Sequence, residues 1–227
     1  MFINPKHIIV DFLRHRLTDP RDRAETTNTE TFDGGSTEFS LSPPSGSLAC
    51  ITEVSVDSSV QNKWKDYYID FQNEKIIFYS NTASGTDNIS VTYKHGSTNW
   101  IYPDKAKTTL SKVAFPRINV LTTAGTGIRV GQYNSNIESS TQFQLDIWTK
   151  ENQEFTINNV IFSNDELAEY LGYQITKAFE DNINDLHPQL YNYELLSVPR
   201  DMGYDIEMQC FHVVVEVQLN SIDAGES

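Results

Sequence analysis

The sequence is poor in cysteine, in basic residues and in long apolar runs. Its 227 residues include two cysteines, Cys50 and Cys210, which are too few for a disulfide framework and have no metal-ligand spacing. No apolar run reaches the roughly 18 residues of a membrane-spanning helix, and the first residues lack the pattern of a secretory signal. We therefore expect a chain that neither crosses a membrane nor depends on disulfides.

Motifs of enzymes and of nucleic-acid-binding proteins are also missing. The 17 Lys and Arg are outnumbered by 31 Asp and Glu, for a formal net charge of −14, and so acidic a chain is poorly suited to nucleic-acid phosphates. None of the five histidines has the spacing of a zinc site, and there is no GxSxG, P-loop or GxGxxG motif. The sequence therefore predicts no enzymatic activity, no cofactor and no sequence-specific nucleic-acid binding.

The N-terminal region is the one basic part of the chain, since residues 1–24 hold five Lys and Arg against three Asp and Glu. Asn4 and Pro5 predict the start of a helix, and Pro20 predicts its end. Four arginines lie at and beyond its C-terminal end: Arg14, Arg16, Arg21 and Arg23. Cations there stabilise a helix by about 0.3–1 kcal/mol each. They are equally suited to pair with carboxylates of a neighbouring subunit or of another acidic partner, as a candidate interface.

The first half of the chain beyond this helix has the pattern of β-structure. Residues 24–36 are polar and without periodicity, which predicts a linker or a long loop. From residue 37 to residue 93, apolar and polar residues alternate in five or six short runs separated by turn residues. This pattern is typical of a small antiparallel sandwich or barrel.

The second half predicts strands around one long helix. Strands are expected over residues 112–121 and 141–149, with a turn at residues 125–127 between them. A capping box of Ser163 and Glu166 begins a long amphipathic helix, and two further strands follow it.

These elements together predict an α+β fold, a mixed sheet with one long and one short helix. Its domain is expected to combine residues 1–24 and 105–220, with the long helix over 163–186. Residues 25–104 are expected to be an inserted all-β sandwich-like module. Residues 221–227 are expected to form a disordered tail.

The order of elements is similar to that of a known family. It is carried by a short helix, Phe115-Pro116-Arg117-Ile118, Gln144-Leu145-Asp146-Ile147-Trp148, a long helix, and a final strand such as His212-Val213-Val214-Val215-Glu216-Val217. This order resembles the tail-terminator family of long-tailed bacteriophages, whose members act in tail completion and head–tail joining. The module over residues 37–93 looks like the small immunoglobulin-like sandwiches of phage tail and neck proteins, although compact terminators lack such an insertion.

The resemblance implies a structural protein of the virion. A ring of six copies would sit on the last ring of the tail tube, stop tube polymerisation and present the docking face for the head or neck. The implied partners are further copies of the chain, the tail tube protein and the neck or head-completion (stopper) protein. The implied location is the tail and neck of the virion, and the host cytoplasm during assembly.

Two other functions remain open at the level of sequence. The first is a neck connector or another structural protein of the tail. The second is a module that binds carbohydrate or a host surface, with Trp64, Trp100 and Tyr67 or Tyr68 as an aromatic stacking platform.

Overall fold

A computed structural model describes residues 5–96, 100–103, 114–130, 136–182 and 190–224. The chain divides into two compact units. The first unit comprises Met1–His7 and Asp22–Asn99, and the second comprises Ile8–Arg21 and Trp100–Ser227.

The fold is β-rich, so the predicted α+β class is wrong. The structure is 52% strand and 16% helical, with two helices and several sheets. The helices were predicted near their observed positions, but segments predicted as linker, turn or tail are strands. The additional strands, rather than a loss of helix, change the fold class.

The first unit contains two antiparallel sheets. Its strands are β1 (Glu25–Phe32), β2 (Glu38–Ser40), β3 (Ser47–Val56), β4 (Ser59–Val60), β5 (Tyr67–Asp70), β6 (Lys75–Phe78) and β7 (Ile89–Gly96). One sheet has the order β1-β7-β3-β4, and the other has the order β2-β6-β5. Aromatic rings of the two sheets meet, since the centroids of Phe32 in β1 and Phe39 in β2 lie 5.5 Å apart.

The alternating pattern of β7 shows how the sequence specifies this unit. Every second residue, from Ile89 through Val91 and Tyr93 to His95, is buried, because successive side chains of a strand point to opposite faces. Burying one large apolar side chain contributes about 1.5–3 kcal/mol. A one-residue slip would expose the whole row, and this fixes the register.

The predicted linker over residues 24–36 is mostly a strand. β1 pairs with β7 at all eight of its positions, from Glu25 opposite Gly96 to Phe32 opposite Ile89. Its residues are exposed or half-buried, so the strand leaves no apolar alternation in the sequence. A threonine-rich edge strand therefore looked like a loop.

The second unit holds the two helices and the large sheet. Its elements are α1 (Pro5–Arg16, of which Ile8 onward belongs here), β8 (Ile101–Tyr102), β9 (Arg117–Val130), β10 (Asn136–Lys150), β11 (Glu154–Ile157), β12 (Val160–Ser163), α2 (Asn164–Asn182), β13 (Leu190–Leu195), β14 (Arg200–Asp205) and β15 (Cys210–Ala224). The sheet has the order β13-β15-β10-β9-β8, with β14 also paired to β15. β8 is parallel to β9, and the other neighbours are antiparallel.

Helix α2 packs on β15 and β10 through its apolar face. Leu171, Ile175 and Phe179 are at most 1% exposed, and the ring of Phe179 lies 5.2 Å from that of Phe12 in α1. The helix was predicted over residues 163–186, of which 183–186 lie outside the described residues. Within the described part of the chain, neither helix is both long and apolar enough to span a membrane.

Two further segments differ from their predictions. Residues 125–127, expected to be a turn, lie inside β9, where Gly125 pairs with Thr141 and Gly127 with Ser139. β15 continues to Ala224 opposite Asn136, so a disordered tail does not begin at residue 221; residues 225–227 lie outside the described residues. Continuous pairing along the β9–β10 hairpin outweighs the local preference of glycine for turns.

Candidate functional site

Exposed apolar side chains concentrate in the second unit. Among the described residues, nine large hydrophobic side chains are exposed, and all except Val60 belong to this unit. They are Val160, Ile161, Tyr173, Leu196, Val198, Met202, Tyr204 and Ile206. Large contiguous apolar patches are uncommon on monomeric proteins and mark interaction surfaces.

The first patch is a groove between a β-hairpin and helix α2. β11 and β12 are joined by Asn158 and Asn159, both with positive φ, as the tightest hairpin turns require. The hairpin leads directly into α2, and the ring of Phe162 packs 4.5 Å from that of Tyr170. Ser163 donates to Glu166 through its backbone N–H and its hydroxyl, at 3.4 and 3.2 Å, which agrees with the predicted capping interaction.

This hairpin groove encloses about 530 Å³. Its walls are mainly apolar and its rim carries two carboxylates; the residues are Val160, Ile161, Phe162, Glu166, Glu169, Tyr170, Tyr173 and Gln174. Tyr173 is 72% exposed and Ile161 is 64% exposed. These side chains would bury substantial apolar area on contact with a partner.

The second patch is the connection between β13 and β14, residues 196–200, which we call the Val198 knob. The N–H of Leu196 donates to the carbonyl of Glu216 at 2.9 Å, and the hydroxyl of Ser197 accepts from the N–H of Glu216 at 3.2 Å. Between these anchors and Pro199, Val198 is 80% exposed. The knob therefore presents an aliphatic side chain from a backbone that is held in place.

The groove and the knob lie on different faces of α2. Tyr170 faces the hairpin, whereas Gly172, which is not part of the groove lining, faces the knob, because a Cβ on Gly172 would lie 2.9 Å from Cβ of Pro199. Residues 170 and 172 are separated by about 200° of rotation around the helix axis. One subunit therefore carries two different apolar surfaces.

Two of the predicted interface arginines are engaged within the second unit. Arg14 donates from Nε and Nη2 to the carbonyl of Ile101, at 3.1 and 2.6 Å. Arg21 donates from Nε to the carbonyl of Phe115, and its guanidinium lies 5.2 Å from the ring centre of Phe155. Both side chains therefore tie α1 and the segment after it to the rest of their unit.

The other two predicted arginines belong to different units. Arg16 is exposed at the last residue of α1, and Arg23 is half-buried in the first unit. The role of all four at a subunit or tube interface stays a prediction.

A row of buried and half-buried polar side chains lies on the face of the sheet away from α2. Val213 faces α2, so its neighbour His212 points to the opposite face. There His212 Nε2 lies 3.0 Å from Asp146 Oδ1, which also accepts from Gln144 at 2.6 Å. The indole of Trp148 stacks on His212 with centroids 3.8 Å apart. These partners satisfy a buried carboxylate and give the pair a structural role.

The buried thiol beside this row is unsuited to nucleophilic chemistry. Burial raises the pKa of Cys210 to about 11, and its thiol donates to the carbonyl of Met208 at 3.1 Å. A nucleophilic cysteine needs a lowered pKa, because the thiolate is the reactive form. Among the residues that the structure describes, no group of three or more His, Cys, Asp or Glu could hold a metal ion.

The first unit contains a polar cleft of about 390 Å³. Tyr79 forms part of its wall, and burial, with a smaller effect of Tyr68, raises the pKa of Tyr79 to about 12. Hydrogen-bonding side chains dominate the remaining lining, among them Asp57, Ser59, Gln61, Lys65, Asp66, Ser80, Asn81 and Thr82. Of the predicted stacking residues, Tyr67 and Trp100 are buried, whereas Trp64 and Tyr68 are half-buried.

Comparison with known proteins identifies no relative. No protein-family model matches the chain, and no curated protein matches its sequence. The order of sequence elements and the geometry of the surfaces are therefore the grounds for a function.

Proposed function

We propose that this chain is a virion structural protein, a tail terminator whose copies form a ring on the end of a bacteriophage tail tube. The observation that carries the proposal is the pair of different apolar surfaces beside α2, the hairpin groove and the Val198 knob. The order of elements in the sequence, which resembles that of tail terminators, supplies the biological setting.

Two different surfaces on one subunit favour head-to-tail contacts. A two-fold dimer uses the same patch on both copies, whereas a head-to-tail contact joins one patch to a different patch and closes into a ring when the rotation allows. The number of six subunits comes from the resemblance. The ring would stop tube polymerisation and give the neck or stopper protein its docking face. No covalent chemistry is required for this role.

The mass of the purified native protein tests the proposal. We expect a closed oligomer of six copies, in solution or on isolated tails, visible as a ring by negative-stain electron microscopy. A monomer at every concentration and salt, together with no ring on isolated tails, would contradict it. Antibody labelling of virions separates a terminator at the head-proximal end of the tube from a neck connector or another tail component.

A second candidate function, carbohydrate binding, is favoured by the polar cleft of the first unit. Hydroxyl-rich ligands suit a cleft of carboxylates, amides and a lysine beside an aromatic wall. A glycan array probed with the full chain tests it, with Asn81→Ala as the cleft variant and Glu25→Ala, in β1 and outside the cleft lining, as the control. Binding that Asn81→Ala alone removes would support this function, and an array without signal would reject it.

A further inference from the structure

We propose that the Val198 knob of one copy inserts into the hairpin groove of the next copy. This inference rests on the proposed ring and names its subunit contact. Because the groove and the knob are different surfaces of one copy, a copy that receives a knob in its groove still offers its own knob to a further copy. The contact therefore propagates in one direction, as a ring requires.

The backbone of the knob is held in a fixed conformation before any contact forms. Leu196 and Ser197 are hydrogen-bonded to the backbone of Glu216, and Pro199 packs against Gly172. A segment already held in its bound shape loses little conformational entropy on association. The groove of about 530 Å³ exceeds the volume of the two aliphatic side chains, Leu196 and Val198, that the knob presents.

Charge favours this occupant over other exposed apolar segments of the chain. The groove carries Glu166 and Glu169, and the knob ends at Arg200, whose side chain is 57% exposed and lies 3.9 Å from Glu216. An arginine beside the inserted valine can donate to the carboxylates of the groove.

The main rival within the chain is the turn between β14 and β15. Its Ile206 is 81% exposed but stands between Asp205 and Glu207. Both carboxylates would meet the acidic rim of the groove, and like charges placed together oppose a contact. The Val198 knob therefore fits the groove better than Ile206 does.

Mixing two cysteine variants tests the contact directly. Val198→Cys and Ile161→Cys are prepared separately in a Cys50→Ser background, mixed before they assemble, allowed to assemble together and oxidised. We expect a disulfide-linked dimer in the mixture, and little in either variant alone, so the bond must join two copies. Ile206→Cys mixed with Ile161→Cys is the matched control and should give no linked dimer. Equal linking of both mixtures, or of neither, would overturn the proposal.

A charge exchange tests the specificity of the pair. We expect Arg200→Glu and Glu169→Arg each to weaken association several-fold at about 0.15 M salt, and the double variant to recover most of the loss. Lys94→Glu, in β7 of the first unit and outside both the groove lining and the knob, adds the same charge as Arg200→Glu and is the control for general repulsion. It should weaken association less than Arg200→Glu does. Circular dichroism melts establish that each variant is folded.

The outcomes separate this inference from the function on which it rests. Rings that form without the Val198–Ile161 link, and that ignore both charge reversals, refute the knob-and-groove contact and leave the terminator function standing. Native protein that forms no oligomer and binds no tails refutes both.

Discussion

Replacing Phe179 by alanine should cost the second unit about 4 kcal/mol of unfolding free energy. The side chain is fully buried, and its ring lies 5.2 Å from that of Phe12 and 6.0 Å from that of Tyr193. It therefore joins α1, α2 and β13. Large-to-small changes of a buried phenylalanine cost about 3–5 kcal/mol. Because three separate elements surround the cavity that the substitution would leave, they have little freedom to close it, and we expect a cost above the lower end of that range.

Urea denaturation followed by tryptophan fluorescence measures this loss. In a Trp64→Phe background the signal comes from Trp100 and Trp148, both in the second unit. Low protein concentration keeps association from adding to the apparent stability. Tyr173→Ala, an exposed aromatic on the same helix, is the matched control and should change stability by less than about 0.5 kcal/mol. A loss below about 1 kcal/mol for Phe179→Ala would show that α2 lies outside the core.

Three further predictions concern the first unit and the two thiols. Excised residues 25–104 should give a β-type circular dichroism spectrum and a cooperative melt, whereas a helical or unfolded spectrum would contradict the predicted boundaries. Ellman's reagent at pH 8 should label Cys50, which is half-exposed, and spare Cys210, whose pKa burial raises to about 11; rapid labelling of both would show an open core. Burial acts to raise the pKa of Asp70, but hydrogen bonds from Asn73 outweigh it and the pKa is lowered. Asp70 therefore stabilises the folded state above the unfolded pKa of about 3.9, and this contribution is lost as pH falls through the folded value. Melts of the Asp70→Asn variant should show a weaker acid dependence than the native protein, and an unchanged dependence would count against the argument.

Elements with one buried face could be predicted from the sequence. β7 alternates apolar and polar residues because one of its faces lies in the core, and α2 has an apolar stripe because it covers the sheet. Burial on one side imposes a period on the sequence, either two or 3.6 residues, and that period can be read without coordinates.

Strands without a buried face could not be predicted in this way. β1 is exposed along most of its length, and residues 122–127 of β9 are exposed. Their backbone hydrogen bonds come from partners distant in the chain, β7 and β10. Threonine and glycine at such positions look like loop residues, so the fold class was misjudged.

The proposed assembly surfaces were missed for a related reason. Charge clustering drew attention to the arginines, yet Arg14 and Arg21 donate to backbone carbonyls of their own unit. The groove forms only when the hairpin folds against α2, which no local pattern reveals. The one signal in the sequence was the pair of aliphatic residues Leu196 and Val198 beside a proline in a short connection between strands.

The dependence of assembly on salt follows from two opposing electrostatic effects. Each copy carries a net charge of −14, so the six copies of the proposed ring would carry −84, and this repulsion acts over long distances. The contact between Arg200 and Glu169 acts at short range and, as an exposed ion pair, contributes only about 0.2–1 kcal/mol per interface. At 0.1 M salt the screening length is about 10 Å, which removes most of the repulsion between distant charges.

The repulsion between copies is the larger of the two effects, so we expect sedimentation velocity to show a larger fraction of ring as salt rises from about 0.02 to 0.5 M. Arg200→Glu adds two negative charges per copy and removes the attraction, and its assembly should depend on salt more steeply. A native ring that dissociates steadily as salt increases would show that attraction between charges holds the subunits together, and would refute this balance.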